Sequence, residues 1–371
     1  MKAGKIISTI LLAIVVAAVG FVAGFFINVT LSKPESDTLA LGDLSIHFIE
    51  LGNKYTGDSI YIKAGETDVL IDAGSRYDSA TAITQYVDQY VTDGKLEYVI
   101  ATHADQDHIS AFVSTASREG VLEHYDVGTI IDFPRTNKTG GDASVIGRYR
   151  AARDAAVERG AVHYTALQCF QQTDGASNTF QLADNIEMEI LYNKYYTSYS
   201  SDENNYSVCM MINQGDNHFL FTGDLEEDGE KALVEYYGDS LPECVLYKAG
   251  HHGSATSSTP ELMAAIKPQY VVVCCCCGSS EYTDNNLTQF PTQDFINNVA
   301  PYTENIYVTS MAVASVPKDE WSSNGQVKSM NGNIVISVSR SVVSVQCSGD
   351  NRVLKDTEWF AQNRTWPSNG K

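Results

Sequence analysis

The segment Thr102-His103-Ala104-Asp105-Gln106-Asp107-His108 places two imidazoles and two carboxylates within six positions. Nitrogen and oxygen donors in this mixture suit zinc, manganese or iron better than an ion that selects thiolates. A loop at the end of a strand can fold such side chains toward one point, whereas a mid-helix placement spreads them around the axis. Capping of a following helix would account for one aspartate but not for the whole set. Two further groups share this setting: Asp224 in Phe221-Thr222-Gly223-Asp224, and a histidine pair in Lys248-Ala249-Gly250-His251-His252-Gly253-Ser254. Four of the chain's eight histidines therefore lie in two loops. Singly, Asp224 reads as a turn residue and His251-His252 as a surface pair. Jointly they read as a metal centre at strand ends, where sheet proteins build their sites.

The elements that must position these loops are legible from hydrophobic periodicity. Leu44, Ile46 and Phe48 alternate as in a strand, as do Ile60 and Ile62, and Val69-Leu70-Ile71 is a short buried run before Asp72-Ala73-Gly74. A helical face follows at Ala82, Ile83, Tyr86, Val87, Tyr90 and Val91. Strand 98–101 delivers the ligand-rich loop, and a helix is expected from Ile109 toward Arg118. Strand 127–133, helix 143–159 and strand 161–166 continue the alternation. The same grammar restarts at residue 179, with strands at 179–182, 186–192, 206–213 and 218–222. After these come helix 226–237, strand 243–248, helix 260–266 and strand 269–276. Strands near 333–338 and 341–347 close the chain, and the polar stretch 194–205 reads as a surface loop. Two β-rich, then β/α-alternating halves predict two sheets face to face with helices outside. The tail bearing Trp359, Trp366 and Pro367 carries no functional signal.

With 371 residues, 43% apolar and 10% aromatic, the chain can bury a full core, which excludes a disordered or disulfide-stapled mini-protein. Its net charge is −21, a balance that opposes strong binding of duplex DNA through the surface field. Three lysines and no acid fall within residues 1–33, so the remainder is three charges more negative still. From Ile6 to Val29 only Ser8, Thr9 and Asn28 are polar. As a helix this run spans about 36 Å, enough for the roughly 30 Å hydrocarbon core and too long for a simple signal sequence. Lys2 and Lys5 before it, and Glu35 and Asp37 after it, favour an N-terminus inside and a body outside the membrane. The expectation is a single-pass cell-membrane protein with an anchor and linker over 1–37 and an extracytoplasmic domain over 38–371, with secretion after cleavage as the alternative. Eight cysteines include the run Cys274–Cys277, whose side chains alternate between faces of a strand and so read as buried small hydrophobes.

In order and content these motifs resemble the metallo-β-lactamase-fold hydrolases, and within them the branch like the hydrolase domain of the ComEC competence protein. The resemblance rests on Gly57-Asp58-Ser59 with Leu70-Ile71-Asp72-Ala73-Gly74, the His103–His108 loop, Asn204-Asn205 through Gly223-Asp224, and the Lys248–Ser254 motif. It spans roughly residues 44–310 and implies a four-layer αββα sandwich. It also implies two divalent ions, zinc or alternatively manganese, about 3.5–4 Å apart, holding a hydroxide for attack on a phosphate-ester substrate. By position, His103 and Asp105 would serve one ion. Asp107 and His108 would serve the other together with one of the pair, His252 or His251, while Asp224 would bridge. Asp107, His251 and His252 are then the residues closest to the chemistry, with the non-ligating histidine touching phosphate or protonating the leaving group. Asp72 would orient a ligand from behind.

The chain departs from the family in three places. Asp105 stands where a histidine is commonest. No motif supplies the usual intermediate histidine, for which His124, His163 and His218 are candidates and for which the branch places Asn205. Phe290-Pro291 stands nearest to the branch's final His-Pro pair. The membrane channel that accompanies this domain in competence proteins is absent from the sequence, so DNA transport does not carry over. The expected function is an extracytoplasmic metal-dependent phosphodiesterase acting on nucleic acid, nucleotides or cell-wall phosphate esters. Alternatives are a carboxyl-ester or lactone hydrolase of the same fold, a non-catalytic surface protein that retains it, or a structural zinc protein.

Overall fold

The computed structural model describes residues 43–312, 327–339 and 342–368. The apolar run 6–29 and the anchor boundary at 37 lie outside the described residues, among which no helix is long and apolar enough to cross a membrane.

Six strands open the chain: β1 (Leu44–Phe48), β2 (Ile60–Ala64), β3 (Thr67–Ile71), β4 (Lys95–Ala101), β5 (Asp126–Asp132) and β6 (Val162–Thr165). Eight more follow: β7 (Thr179–Ala183), β8 (Ile186–Ile190), β9 (Met210–Gln214), β10 (Asn217–Phe221), β11 (Leu246–Lys248), β12 (Tyr270–Cys277), β13 (Ile306–Ala312) and β14 (Val327–Ser329). The last two, β15 (Ile334–Ser339) and β16 (Val342–Cys347), return to the first sheet beside β1. The sheets run β16-β15-β1-β2-β3-β4-β5-β6 and β14-β13-β12-β11-β10-β9-β8-β7. Each is mixed. β3 to β6 are parallel in one and β10 to β13 in the other, and the rest are antiparallel.

A parallel pair needs a long crossover, and helices supply it in both halves. Helices Ser79–Val87, Val121–His124 and Val145–Glu158 lie between β3 and β6, and Glu227–Tyr237, Pro260–Ile266 and Gln293–Val299 between β10 and β13. Side-chain alternation divides the core. Val272 and Cys274 of β12 join the cluster that contains Ile62, Val99 and Phe219 from both sheets. Val271, Val273, Cys275 and Cys277 join a second cluster with Leu233, Leu262 and Phe295 from the covering helices. The cysteine run is thus buried packing, and all eight cysteines are free and buried.

The structure corrects several sequence expectations. The helix expected from Ile109 toward Arg118 is instead a turn of helix at Gln106–Ile109 and a 3₁₀ turn at Ser110–Phe112. The chain then doubles back so closely that a Cβ on Gly120 would lie 2.3 Å from the Val113 carbonyl carbon. The stretch 194–205 is a surface loop only in part, exposed at Thr197–Tyr199 and Ser201. Tyr195, Tyr196 and Glu203–Tyr206 are buried, and Asn193 Nδ2 donates to the carbonyls of Asn205 (2.8 Å) and Ser207 (2.9 Å). Beyond the strand expected at 161–166, the chain forms a helix at Ala166–Gln171, started by a capping box of Thr165 and Gln168. The tail forms helix Glu358–Asn363, which packs Trp359 and Phe360 on the second cluster.

Candidate metal centre

The site loops leave the C-terminal ends of β3, β4, β10 and β11, and backbone contacts lock them together before any ligand is considered. Asp58 N donates to Asp107 O (3.1 Å), Ala73 N to His108 O (2.8 Å) and Gly74 N to Asp58 O (2.9 Å). Gly74 must be glycine: a Cβ there would lie 1.5 Å from Asp107 O. Gly57 is nearly as constrained, with Asp107 O at 2.8 Å from its would-be Cβ. The Gly57-Asp58 and Asp72-Ala73-Gly74 motifs therefore form the cradle of the 103–108 loop.

Within the cradle each imidazole is aimed by its outer nitrogen. His108 Nδ1 donates to Asp72 Oδ2 at 2.8 Å, while Asp72 also accepts from Thr102 N and Thr102 Oγ1, both at 2.7 Å. His252 Nδ1 lies 2.9 Å from Cys274 O and 3.2 Å from Asp58 Oδ1. Both Nε2 atoms consequently face inward, 3.3 Å apart. Asp224 Oδ2 lies 3.1 Å from each, and Asp107 Oδ2 lies 3.4 Å from His252 Nε2. Ligand atoms of Asp58, His108, Asp224 and His252 all fall within 4.8 Å of one another, and all four residues are buried. Asp58 stands behind His252 rather than beside the two Nε2 atoms.

Lys248, a residue of the last motif, is also buried here. Its Nζ lies 2.5 Å from Asp58 Oδ2 and 3.2 Å from Asp224 Oδ1. Sequence reading gave no role to Asp58 or Lys248, although both sit inside the quoted motifs. Burial opposes ionisation of Asp224, but His252, His108 and Lys248 outweigh it and hold the carboxyl well below the usual range. Asp107 is depressed in the same way by His252 and His108. Burial likewise lowers His108 and His252, but their carboxylate neighbours, Asp224 foremost, push both well above an ordinary imidazole.

The remaining predicted ligands are placed differently. His103 is fully buried and its Nε2 makes no hydrogen bond. Its Nδ1 is 3.1 Å from Thr102 Oγ1, and its ring centroid is 4.1 Å from that of His108. Burial and the neighbouring His108 lower it to about 4, so the ring is neutral, and with Thr102 Oγ1 donating to Asp72, a proton on Nδ1 leaves Nε2 as a lone pair. Asp105 lies 3.7 Å from that Nε2 and is also paired with Lys138. His251 is outside the cluster. It and His252 occupy successive left-handed conformations (φ 42° and 53°), which turn their side chains to different surroundings. His251 Nδ1 lies 3.0 Å from Thr256 Oγ1 and 3.3 Å from Glu226 Oε1. His124, His163 and His218 are not brought to the site; they pair with Asp88 and Glu119, with Asp132, and with Asn213. Asn205 instead braces the Glu226 turn, its Oδ1 accepting from Glu226 N at 3.4 Å.

These residues fit divalent metal. The donors are imidazole nitrogen and carboxylate oxygen, no thiolate intrudes, and His103 Nε2 is buried without a hydrogen-bond partner. The cluster borders a cleft of about 450 Å³, whose walls include Asp105, Asp107, Asp224, His251, Lys138 and Tyr282. Tyr282 Oη donates to Asp107 Oδ2 at 2.7 Å. It holds Asp107 in a segment where the sequence offered only Phe290-Pro291.

Comparison with known proteins agrees with the motifs. The metallo-beta-lactamase superfamily model matches residues 52–135, which contain Asp58, Asp72 and the His103–His108 loop. Competence protein ComA of Neisseria gonorrhoeae is 38% identical over 98 residues, covering 26% of this chain and 13% of that protein. ComE operon protein 3 of Bacillus subtilis is 26% identical over 175 residues, covering 47% of this chain and 19% of that protein. The chain thus spans less than a fifth of either curated relative. Among solved structures, the metallo-beta-lactamase fold protein YhfI of Bacillus subtilis aligns with 12% identity and a TM-score of 0.43, over 72% of this chain and 96% of that one. Human tRNase Z, short form, aligns with 12% identity and a TM-score of 0.32, over 71% and 93%. The resemblance read from the motifs is matched by the superfamily model over residues 52–135 and by the two competence proteins, and the fold itself is α/β with two mixed sheets.

Proposed function

We propose that the chain is a metal-dependent phosphodiesterase, anchored by its 6–29 segment with the domain outside the cytoplasm. The observation that supports this best is the convergence of His108 Nε2, His252 Nε2, Asp224 Oδ2 and Asp107 Oδ2 beside an open cleft. His108, His252, Asp107 and Asp224 would hold one ion, and His103 with Asp105 and Asp224 a second, zinc or alternatively manganese. Such ions lower the pKa of water toward neutrality and polarise phosphoryl oxygens. The chain's own residues do the rest. Asp72 and the Cys274 carbonyl fix the two imidazoles, Tyr282 fixes Asp107, and Lys248 neutralises Asp58 and Asp224 in their buried setting. His251, backed by Thr256 and Glu226 at the cleft wall, protonates the leaving oxygen. Arg76 and Lys138 line the same cleft and attract the anionic ester.

The test is hydrolysis of bis(p-nitrophenyl) phosphate by the zinc- or manganese-loaded protein, with Asp107→Ala as control. Turnover lost in the variant supports the reading. A folded protein that binds metal and cleaves p-nitrophenyl acetate but not the diester replaces it with a carboxyl esterase.

A further inference from the structure

A second pocket of about 600 Å³ opens beside the metal cleft, and Arg135, Arg150, Arg153 and Tyr199 are among its walls. Its floor is built. Buried Asp132 accepts from Tyr149 Oη (3.2 Å), Arg153 Nη1 (3.0 Å) and His163 Nε2 (2.8 Å), which fixes Arg153 in place. Arg153 is neutralised by Asp132 and Asp154. Arg135 and Arg150 are exposed, and their side chains make no ion pair or hydrogen bond to any described residue. Two uncompensated guanidinium groups facing one cavity stand out on a chain of net charge −21.

The walls of the two cavities adjoin along the chain. Pro134–Asn137 line the second pocket, and the next residues, Lys138 and Thr139, line the metal cleft. Glu203 ties this segment to the ligand loop, accepting from Asn137 N (2.6 Å) and Ala104 N (3.2 Å). Helix Val145–Glu158 spans both: Val145 and Ile146 face the metal cleft, while Arg150 and Arg153 face the second pocket. At about 1.5 Å per residue, Arg150 is roughly 8 Å along the axis from Val145. A chain with repeated negative charge that reached from one cavity to the other would meet Lys138 in the first and Arg135 and Arg150 in the second. Tyr199, 72% exposed at the pocket, offers a flat ring on which a base can stack.

We infer that Arg135, Arg150 and Tyr199 form an accessory site for a single-stranded oligonucleotide, binding a phosphate and a base away from the one at the metal cleft. This deepens the phosphodiesterase reading and rests on it for the cleavage step, while binding stands separately. Arginine forks match phosphate oxygens, and the aromatic face accepts any base, so the site selects chain length rather than sequence.

The test uses the full metal-loaded protein, bis(p-nitrophenyl) phosphate, a fluorescent thymidine dinucleotide and octamer, and an abasic octamer. The octamer is expected to bind more tightly than the dinucleotide. Arg135→Ala/Arg150→Ala should weaken octamer binding by about tenfold or more and flatten its salt slope by about 1.4. Turnover of the small diester should stay unchanged in that variant, which also shows that it is folded. Tyr199→Ala should weaken the base-bearing octamer and leave the abasic one unaffected. Unchanged octamer affinity in the double arginine variant overturns the site, even where the small diester is cleaved. Equal binding of abasic and base-bearing octamers overturns the nucleic-acid assignment in favour of a base-free phosphodiester polymer. Octamer binding that depends on the arginines, without hydrolysis of any diester, keeps the site and overturns the phosphodiesterase reading.

Discussion

Asp72 and His108 are joined by a 2.8 Å hydrogen bond from Nδ1 to Oδ2, so the carboxylate at the end of β3 sets which nitrogen of the β4-loop histidine faces the centre. Asp72 itself has φ 58°, a left-handed conformation that an aspartate tolerates better than most residues, and Thr102 holds it through two further bonds. Replacing Asp72 with asparagine turns one acceptor into a donor and releases the ring. Metal affinity is expected to fall by about 10- to 100-fold with little change in fold, as read by competition with a chromogenic chelator.

Gly74 tests the cradle rather than the ligands. Gly74→Ala forces a methyl into the Asp107 carbonyl, from which its Cβ would be only 1.5 Å away, so the loop must shift. A stability loss of roughly 2–4 kcal/mol is expected by denaturant unfolding, along with loss of metal stoichiometry. Gly141→Ala is the matched control, since its Cβ would meet nothing within 4 Å. Equal behaviour of the two variants would refute the cradle.

How much of this was readable in advance depends on how local each signal is. The His103–His108 loop was legible because four ligand types in six positions have no ordinary structural reading. The twin β/α halves followed from periodicity. Asp58 and Lys248 were not assigned, because a lone aspartate in a turn and a lone lysine beside an apolar run look like surface residues until the fold buries both. Tyr282 was invisible for a related reason: its partner, Asp107, is 175 positions away. Glycines 57 and 74 mattered through backbone proximity that no one-dimensional pattern encodes. By contrast, the capping box of Thr165 and Gln168 is a local signal, since its two residues lie three positions apart.

Glu230 supplies a pH prediction outside the metal cluster. It is fully buried, and burial pushes its carboxyl up to about 7 despite donation from Ser258 N and Thr259 N, each at 2.7 Å. The folded state therefore holds a proton that the unfolded chain has released between about pH 4.5 and 7. Because the native form binds more protons, this group's contribution to stability must fall as pH rises through that window. Glu230→Gln removes the titration, and its unfolding free energy should decline less with pH than that of the parent, measured with the metal state held fixed. A parent curve no steeper than the variant's would refute the assignment.

Metal removal carries the opposite sign for affinity. Without an ion, Asp224 and its neighbours hold protons on His108 and His252 well above the ordinary imidazole range, and binding must displace them. Affinity for zinc should therefore rise with pH, with net proton release detectable by titration in buffers of different ionisation enthalpy. Loading should also raise the unfolding temperature, and chelation reverse it.

Lys248 decides whether the buried charge is balanced by the chain or by the metal. Its ammonium lies within 3.2 Å of both Asp58 and Asp224, and carboxylates stripped of it would have only the protonated His108 and His252 to offset them in a dry interior. Breaking a buried pair from one side costs about 3–5 kcal/mol. Lys248→Met is expected to lose stability on that scale in the metal-free protein and to recover part of it on adding zinc, because an ion held by Asp224 would offset part of the charge that Lys248 leaves. Lys138→Met, whose partner Asp105 is partly exposed, should cost under about 1 kcal/mol by the same measurement. A Lys248→Met loss that zinc does not reduce would place Lys248 in a purely structural role, independent of the metal centre.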